Sequence, residues 1–347
     1  MSEFVKLPKL SRGDKVAILS PSAGLPGKFP WVQDLGLERL RNTFGLEPVE
    51  YPTTRVMGAS LEARAADITS AFADSKIKAI ITSIGGSDQI KLIKLLDADV
   101  IRANPKPFFG FSDNTHLHIY LSSLGIPSYY GGAVMTQFAM QSEMMRPTVE
   151  TLNKALFEGG TYVTAGEESY NDISLEWADE TNLAKRRVME PNDGLFWDGQ
   201  ADAQGQLWGG CVESLIAQCA VGKYLPNVED MAGKILFLET SENIPPMWAV
   251  RYLLVGLGER GWFDQLAGVM VGRPKAWNPE RQQSAETKAD YRRRQRETVL
   301  STIREYNGEI PVVQNVDFGH TDPQLVLPVG GVAMLSSKSG TISLDYS

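Results

Sequence analysis

Short apolar runs and stretches of helical spacing alternate through the first third of the chain. Val16-Ala17-Ile18-Leu19 reads as a buried strand that runs through Ser20-Pro21-Ser22 into a loop containing Gly24 and Gly27. Leu37–Phe44 has helical spacing and Glu47–Tyr51 reads as a strand. Ser60–Phe72 predicts a helix capped by Ser60. Ile77–Ser83 is a second buried strand, closed by Gly85-Gly86-Ser87-Asp88, and Gln89–Leu96 predicts a helix. Pro107–Gly110 is the next strand, followed at once by a helical run with Leu117, Ile119, Tyr120 and Leu121. Strands alternating with helices predict an α/β fold with a doubly wound, mostly parallel sheet. Ligands in such sheets sit beyond the carboxyl ends of the strands, which singles out the loops Pro21–Gly27, Gly85–Asp88 and Gly110–Asn114.

From about Tyr162 the pattern changes. Residues 165–207 are rich in Glu, Asp, Asn and Gly and carry Trp177, Arg186, Arg187 and Trp197. This stretch reads as an extended loop or hairpin insertion, and long ordered loops are uncommon without a function. Trp208-Gly209-Gly210-Cys211 leads into a helix through Ala220. Lys234–Glu239 predicts a strand, Trp248–Leu257 a helix and Ala267–Arg273 a strand. Residues 279–305 are charged and helical, and Arg292-Arg293-Arg294 within them reads as a solvated face. The tail carries β-branched runs at Pro311–Val313, Val326–Pro328, Val332–Ser336 and Thr341–Leu344, which suit a mixed or antiparallel sheet. The expected organisation is an N-terminal α/β domain over residues 1–165, an insert or substrate loop over 166–207, and a smaller C-terminal α/β domain with a mixed β-sheet over 208–347. No internal repeat or low-complexity linker interrupts it.

Composition narrows the function. A chain of 347 residues with 43% hydrophobic content buries a sizeable core. A net charge of −8 argues against nucleic acid or an anionic membrane as partner. Cys211 and Cys219 are the only cysteines, too few for a disulfide framework or a cysteine zinc site. No secretory signal and no membrane-length apolar run is visible, so a soluble cytoplasmic protein is expected.

Ser112 sits where an apolar strand meets a helix, in Phe109-Gly110-Phe111-Ser112-Asp113-Asn114. Such a turn holds a serine hydroxyl clear of the sheet beside the positive end of a helix, as a nucleophile requires. A Gly-x-Ser-x-Gly elbow would have a second glycine where Asn114 stands, and a serine here also serves as a plain helix cap. Three histidines are available as base. His116 and His118 lie in the helix that points away from Ser112, whereas His320 lies in a loop between strands with Gly319 before it and Pro323 after. A carboxylate to orient the base is expected at Glu239, at the end of an apolar strand, with Glu242 as competitor. The backbone N–H groups of Asp113 and of Gly86, beside Gly85, are candidate oxyanion donors. No dinucleotide fingerprint, phosphate loop or His-Glu-x-x-His motif is present, so neither a cofactor nor a metal is expected.

At these residues the chain resembles the LD-carboxypeptidase family of serine peptidases, family S66. The resemblance rests on Ser20-Pro21-Ser22, Gly85-Gly86, Gly110-Phe111-Ser112-Asp113, Trp208-Gly209-Gly210, Leu236-Phe237-Leu238-Glu239, Gly268–Arg273, Phe318-Gly319-His320 and Leu327–Gly330, in that order. It implies a triad of Ser112, Glu239 and His320, a cleft between two domains, and a homodimer. The family holds two main activities, removal of the terminal D-alanine of murein tetrapeptide, and immunity to microcin C by cleaving an amide in an aminoacyl-nucleotide. The large insert around Ser174-Leu175-Glu176-Trp177 and the segment Phe318–Pro323 resemble the immunity branch. That branch implies an insert aromatic stacked on a nucleobase, best matched by Trp177, with Trp197 as the lesser candidate. Glu213 is the candidate for the amino or carboxyl end of a small-molecule or short-peptide substrate. A non-catalytic small-ligand-binding protein on the same scaffold is the competing class.

Overall fold

The computed structural model describes residues 4–280 and 282–347. The first part runs β1 (Lys15–Leu19), α1 (Pro30–Asn42), β2 (Glu47–Glu50), α2 (Leu61–Ala73), β3 (Ile77–Thr82), α3 (Ala98–Ala103), β4 (Phe108–Gly110), α4 (Thr115–Ser123), β5 (Ser128–Tyr130) and α5 (Arg146–Asn153). The middle holds β6 (Thr161–Thr164), β7 (Ser169–Tyr170), β8 (Glu190–Pro191) and β9 (Phe196–Asp198). Then come β10 (Ala203–Cys211), α6 (Val212–Val221), β11 (Ile235–Glu239), α7 (Met247–Glu259), β12 (Gly268–Gly272), α8 (Ala285–Tyr306), β13 (Val312–Val316), β14 (Leu327–Val329), β15 (Val332–Ser336) and β16 (Thr341–Asp345).

The fold is α/β. Its main sheet has the strand order β2-β1-β3-β4-β5-β14-β10-β11-β12-β13-β9. Strands β2 to β5 are mutually parallel, as are β14 and β10 to β13. β14 joins the two sets by pairing antiparallel with β5, so the hydrogen-bonded ladder is continuous. β15, β16 and β6 form an antiparallel ribbon that leaves the path at the start of β10. Among the described residues no helix is long and apolar enough to cross a membrane.

Successive side chains of a strand point to opposite faces, and here both faces are buried. In β1, Val16 and Ile18 join the core beneath α1, while Ala17 and Leu19 join the one beneath α2. In β11, Ile235 and Phe237 face the first of these cores, and Leu236 and Leu238 pack under α6 and α7. Ser60 caps α2 as expected, its Oγ accepting from Ala63 N–H at 3.2 Å.

Three sequence expectations need correction. Gln89–Leu96 is not one helix but two 3₁₀ turns, Gln89–Lys91 and Ile93–Leu95. The N–H groups of Asp88 and Gln89 are drawn to the Asp113 carboxylate, which sets the turn. Trp208–Cys211 closes the long strand β10, whose Gln and Gly content hid it. Glycine is required there, because a Cβ at Gly209 would lie 1.8 Å from Phe237 O on β11. Arg292 is buried rather than solvated, and the insert docks on it.

That docking is ionic. Asp172, fully buried, pairs with Arg292 and lies 3.7 Å from Lys288 Nζ and 3.9 Å from Lys275 Nζ. Arg292 also donates to Tyr170 Oη at 2.6 Å. Replacing Asp172 by Ala leaves Arg292 and Lys275 without a carboxylate partner, while Lys288 keeps Glu190, and loss of one partner of a buried ion pair typically costs about 3–5 kcal/mol. Urea denaturation of Asp172→Ala is expected to show a loss of that size, whereas Arg293→Ala, on the exposed face of α8, is expected to change little.

Candidate active site

β4 ends at Gly110, and the chain turns through Phe111 and Ser112 into α4. Ser112 adopts φ +64°, a conformation an L-residue adopts only when its surroundings impose it. Ser112 N–H donates to Tyr130 Oη at 3.1 Å, and Ser112 O accepts from Thr115 Oγ1 at 2.7 Å. Phe111, not Ser112, is the N-cap residue of the 3₁₀ turn Ser112–Asn114 that leads into α4. Asn114 takes an ordinary helical conformation and needs no glycine. Its side chain ties the turn, donating to Phe111 O at 3.0 Å and accepting from Gln89 Nε2 at 2.7 Å.

The three loops singled out in the sequence meet at Asp113. Its Oδ2 accepts from Ser22 Oγ at 2.7 Å and from the N–H groups of Asp88 and Gln89, each at 3.0 Å. Gly85 then lies against the serine, where a Cβ would stand 2.9 Å from Ser112 Cβ and 3.1 Å from its Oγ. A Cβ at Gly86 would stand 2.7 Å from Ser22 Cβ. Gly85, Gly86, Ser112 and Asp113 all border one cavity.

Glu239 and His320 face each other across the turn after β11. Glu239 is fully buried, and its Oε2 lies 2.6 Å from His320 Nδ1. Its Oε1 accepts from Tyr130 Oη at 2.6 Å. Gly319, at φ +93°, permits this approach, because a Cβ there would lie 2.7 Å from Glu239 Oε2. Glu242, the competing carboxylate, meets the opposite nitrogen, with Oε2 3.2 Å from His320 Nε2. Ser112 Oγ and His320 border the same cavity, but no hydrogen bond joins them among the described residues. Burial opposes charge on His320, yet the charge and hydrogen bond of Glu239, then Glu242 and Glu213, outweigh it and push the imidazole up to about 9. A folded value above the unfolded one means that this imidazolium stabilises the fold fully below about pH 6.5. That contribution is lost as pH rises through about 9.

The other two histidines serve the framework. His118 is buried, with Nε2 2.9 Å from Gly110 O and Nδ1 2.7 Å from Ser128 Oγ, and burial lowers it to about 4. His116 Nδ1 bonds Gln218 Oε1 at 2.7 Å, its Nε2 lies 3.5 Å from Asp113, and burial lowers it too.

The cavity encloses about 630 Å³. The insert forms one wall through residues 174–178, with Trp177 edge-on to Phe29 at 5.8 Å between ring centres. Trp31 Nε1 donates to Trp177 O at 2.8 Å and fixes the wall to α1. Trp197 is elsewhere, on β9 opposite Val313, which removes it as the alternative to Trp177. Glu213 also borders the cavity, its carboxylate accepting from Ser241 Oγ at 2.6 Å and from Cys211 Sγ at 3.2 Å. Among the described residues no group of three or more His, Cys, Asp or Glu side chains is placed to hold a metal ion.

Comparison with known proteins now decides the family. Residues 16–131 match the N-terminal domain of LD-carboxypeptidases, and residues 204–335 match their C-terminal domain. The chain belongs to the LD-carboxypeptidase family, peptidase family S66. It is 29% identical to a putative carboxypeptidase of Treponema pallidum over 97% of this chain and 94% of that one. It is 26% identical to the microcin C7 self-immunity protein MccF of Escherichia coli over 82% of this chain and 78% of that one. Its structure superposes with a TM-score of 0.83 on an MccF-like protein from Streptococcus pneumoniae solved in complex with AMP, 29% identical, covering 96% of this chain and 99% of that one.

Two residues of the site escape sequence reading. Tyr130, in the apolar strand β5, looks like core, yet its hydroxyl links the Ser112 backbone to Glu239. Thr115 looks like the first residue of a helix, yet its Oγ1 also accepts from Cys211 N–H at 3.0 Å and joins the turn to β10. Tyr130→Phe removes a donor from a buried carboxylate, worth about 1.5–3 kcal/mol. Urea denaturation is expected to show that loss, and reaction of Ser112 with a fluorophosphonate is expected to slow by up to about a hundredfold as the turn shifts.

Proposed function

We propose that this member of the S66 family is a serine hydrolase that cleaves the amide of an aminoacyl-nucleotide, as in microcin C7 self-immunity. One observation carries the substrate reading. Insert residues 174–178 line the cavity that Ser112 borders and set Trp177 in its wall, beside Phe29. A flat aromatic face at that point suits a nucleobase. The similarity to MccF, and to an MccF-like protein solved with AMP, supports the same reading.

In the proposed reaction Ser112 Oγ attacks the amide carbonyl. His320 Nε2 takes the serine proton and later hands it to the leaving amine. Glu239 holds Nδ1–H, keeps the ring in one tautomer and stabilises the imidazolium that forms. The N–H groups of Gly86 and Asp113 receive the developing oxyanion, beside the positive end of α4. Gly85 leaves room for the acyl group next to Ser112, and Glu213 takes the substrate's amino end. Water then releases the acyl group by the same steps in reverse roles. The cytoplasmic setting and the homodimer implied by the family resemblance belong to this proposal.

The test is mass-spectrometric. Wild type, Ser112→Ala and Trp177→Ala are incubated with aspartyl sulfamoyl-adenosine and, separately, with L-Ala-γ-D-Glu-meso-diaminopimelate-D-Ala. Free aspartate is expected from wild type, with turnover reduced at least about a thousandfold in Ser112→Ala. Trp177→Ala is expected to lose about 1–3 kcal/mol of binding, read as a raised KM. Release of D-alanine instead would assign the chain to murein trimming. No product from folded wild type on either substrate would favour the ligand-binding class.

A further inference from the structure

His320 is held between two carboxylates, not one. Glu239 takes Nδ1 from inside, fully buried at the end of β11. Glu242 takes Nε2 from the solvent side, its own side chain 55% exposed. Nε2 is the atom that a serine proton must reach, and in this geometry it faces a carboxylate, while among the described residues no hydrogen bond joins it to the Ser112 hydroxyl. Glu242 is carried by the short loop between β11 and α7. That loop is pinned by Ser241 Oγ, which accepts from Asn243 N–H at 3.1 Å, and by Asn278, which donates to Glu242 O at 2.8 Å. The backbone of Glu242 is therefore held, while its carboxylate has open solvent to turn into.

We propose that Glu242 is a positioning residue that keeps the unliganded site at rest: its carboxylate occupies His320 Nε2 in place of Ser112 Oγ, and substrate entering the cavity displaces it. This rests on the reading of His320 as the base for Ser112. With Glu242 in place, both imidazole nitrogens donate and the ring cannot accept a proton. When the carboxylate withdraws, the Nε2 proton passes to water more readily, and a larger share of rings offers a neutral nitrogen to the serine hydroxyl. The charged groups around the ring act together. Glu239 at the end of β11, Glu242 on the following loop and Glu213 on α6 favour the imidazolium. Lys275 borders the same cavity after β12 but donates to Asp172 O, and Arg187 of the insert is neutralised by Asp322 at 2.5 Å. Of the three carboxylates, Glu242 alone is exposed, and it alone contacts Nε2.

The experiment uses the intact protein and its three histidines. The ¹³Cε1 shift of His320 is followed against pH in wild type and in Glu242→Gln, and the rate of Ser112 labelling by a fluorophosphonate is measured over the same range. His116 and His118 are lowered by burial, so the histidine that titrates on the alkaline side is His320. The wild-type midpoint is expected near 9. Removing one opposite charge lowers it by about one unit, so labelling near neutral pH is expected to rise about tenfold in Glu242→Gln. Glu242→Asp, which keeps the charge but withdraws it, is expected to fall between the two. Thermal melting confirms that each variant is folded. Labelling of Ser112 with the same midpoint and rates in wild type and Glu242→Gln would overturn the inference and leave the reading of the site intact. Failure of folded wild type to label at Ser112 at any pH would overturn that reading, and the inference with it.

Discussion

A carboxylate buried without partners would cost far more than a domain's net stability, so the chain around Glu239 is organised to satisfy it. Tyr130 from β5 and His320 from the loop after β13 each donate to one of its oxygens. Those two donors come from opposite halves of the sheet, which β14 brings together by pairing with both β5 and β10. A Cβ at Gly319 would lie 2.7 Å from Glu239 Oε2, and one at Gly272 would lie 3.1 Å from Glu239 Cβ and 2.6 Å from Phe318 O, so neither site admits a side chain without a shift. The continuous sheet is therefore more than a scaffold, because it brings Glu239, His320 and Tyr130 within hydrogen-bond reach.

The same phenol carries the constraint to Ser112. Tyr130 accepts from Ser112 N–H, so the residue at positive φ is bonded to the group that steadies the acid. Strain at one residue persists only where its neighbours over-determine it. Here Tyr130, Thr115, Asp113 and Asn114 supply four independent ties, drawn from β5, from the turn itself and from α4. The insert is held by separate means, through Asp172 and Tyr170 to α8 and through Trp177 to Phe29 and Trp31. The Ser112 turn and the cavity wall are thus fastened to different elements, while Arg187 and Asn171 of the insert also bond Asp322, two residues after His320.

Much of this was legible in the sequence, for identifiable reasons. Continuous apolar runs in Lys15–Leu19 and Ile235–Glu239, buried on both faces, exposed the strands, and glycines after them exposed the ligand loops. The serine turn was legible because an apolar strand meets a helix there, and Glu239 because an acid ends a buried strand. Tyr130 was not, since a tyrosine in an apolar strand carries no local sign of which donor its hydroxyl will meet. Arg292 was misread because its neighbours Arg293 and Arg294 are solvated, and only the docking of the insert supplies its buried partner. Strand β10 was missed because its glycines, needed for backbone approach to β11, resemble turn glycines. Glu242 could be named in the sequence, but which imidazole nitrogen it meets depends on tertiary structure.

The most direct test is a crystal structure of the protein after reaction with a fluorophosphonate. Phosphorus is expected on Ser112 Oγ, with a phosphonyl oxygen about 2.7–3.1 Å from the N–H groups of Gly86 and Asp113. His320 Nδ1 is expected still on Glu239, with Nε2 turned from Glu242 toward the adduct. An unmodified Ser112 in folded, reacted protein, or an adduct whose oxygen points into solvent away from Gly86 and Asp113, would contradict this assignment of the site.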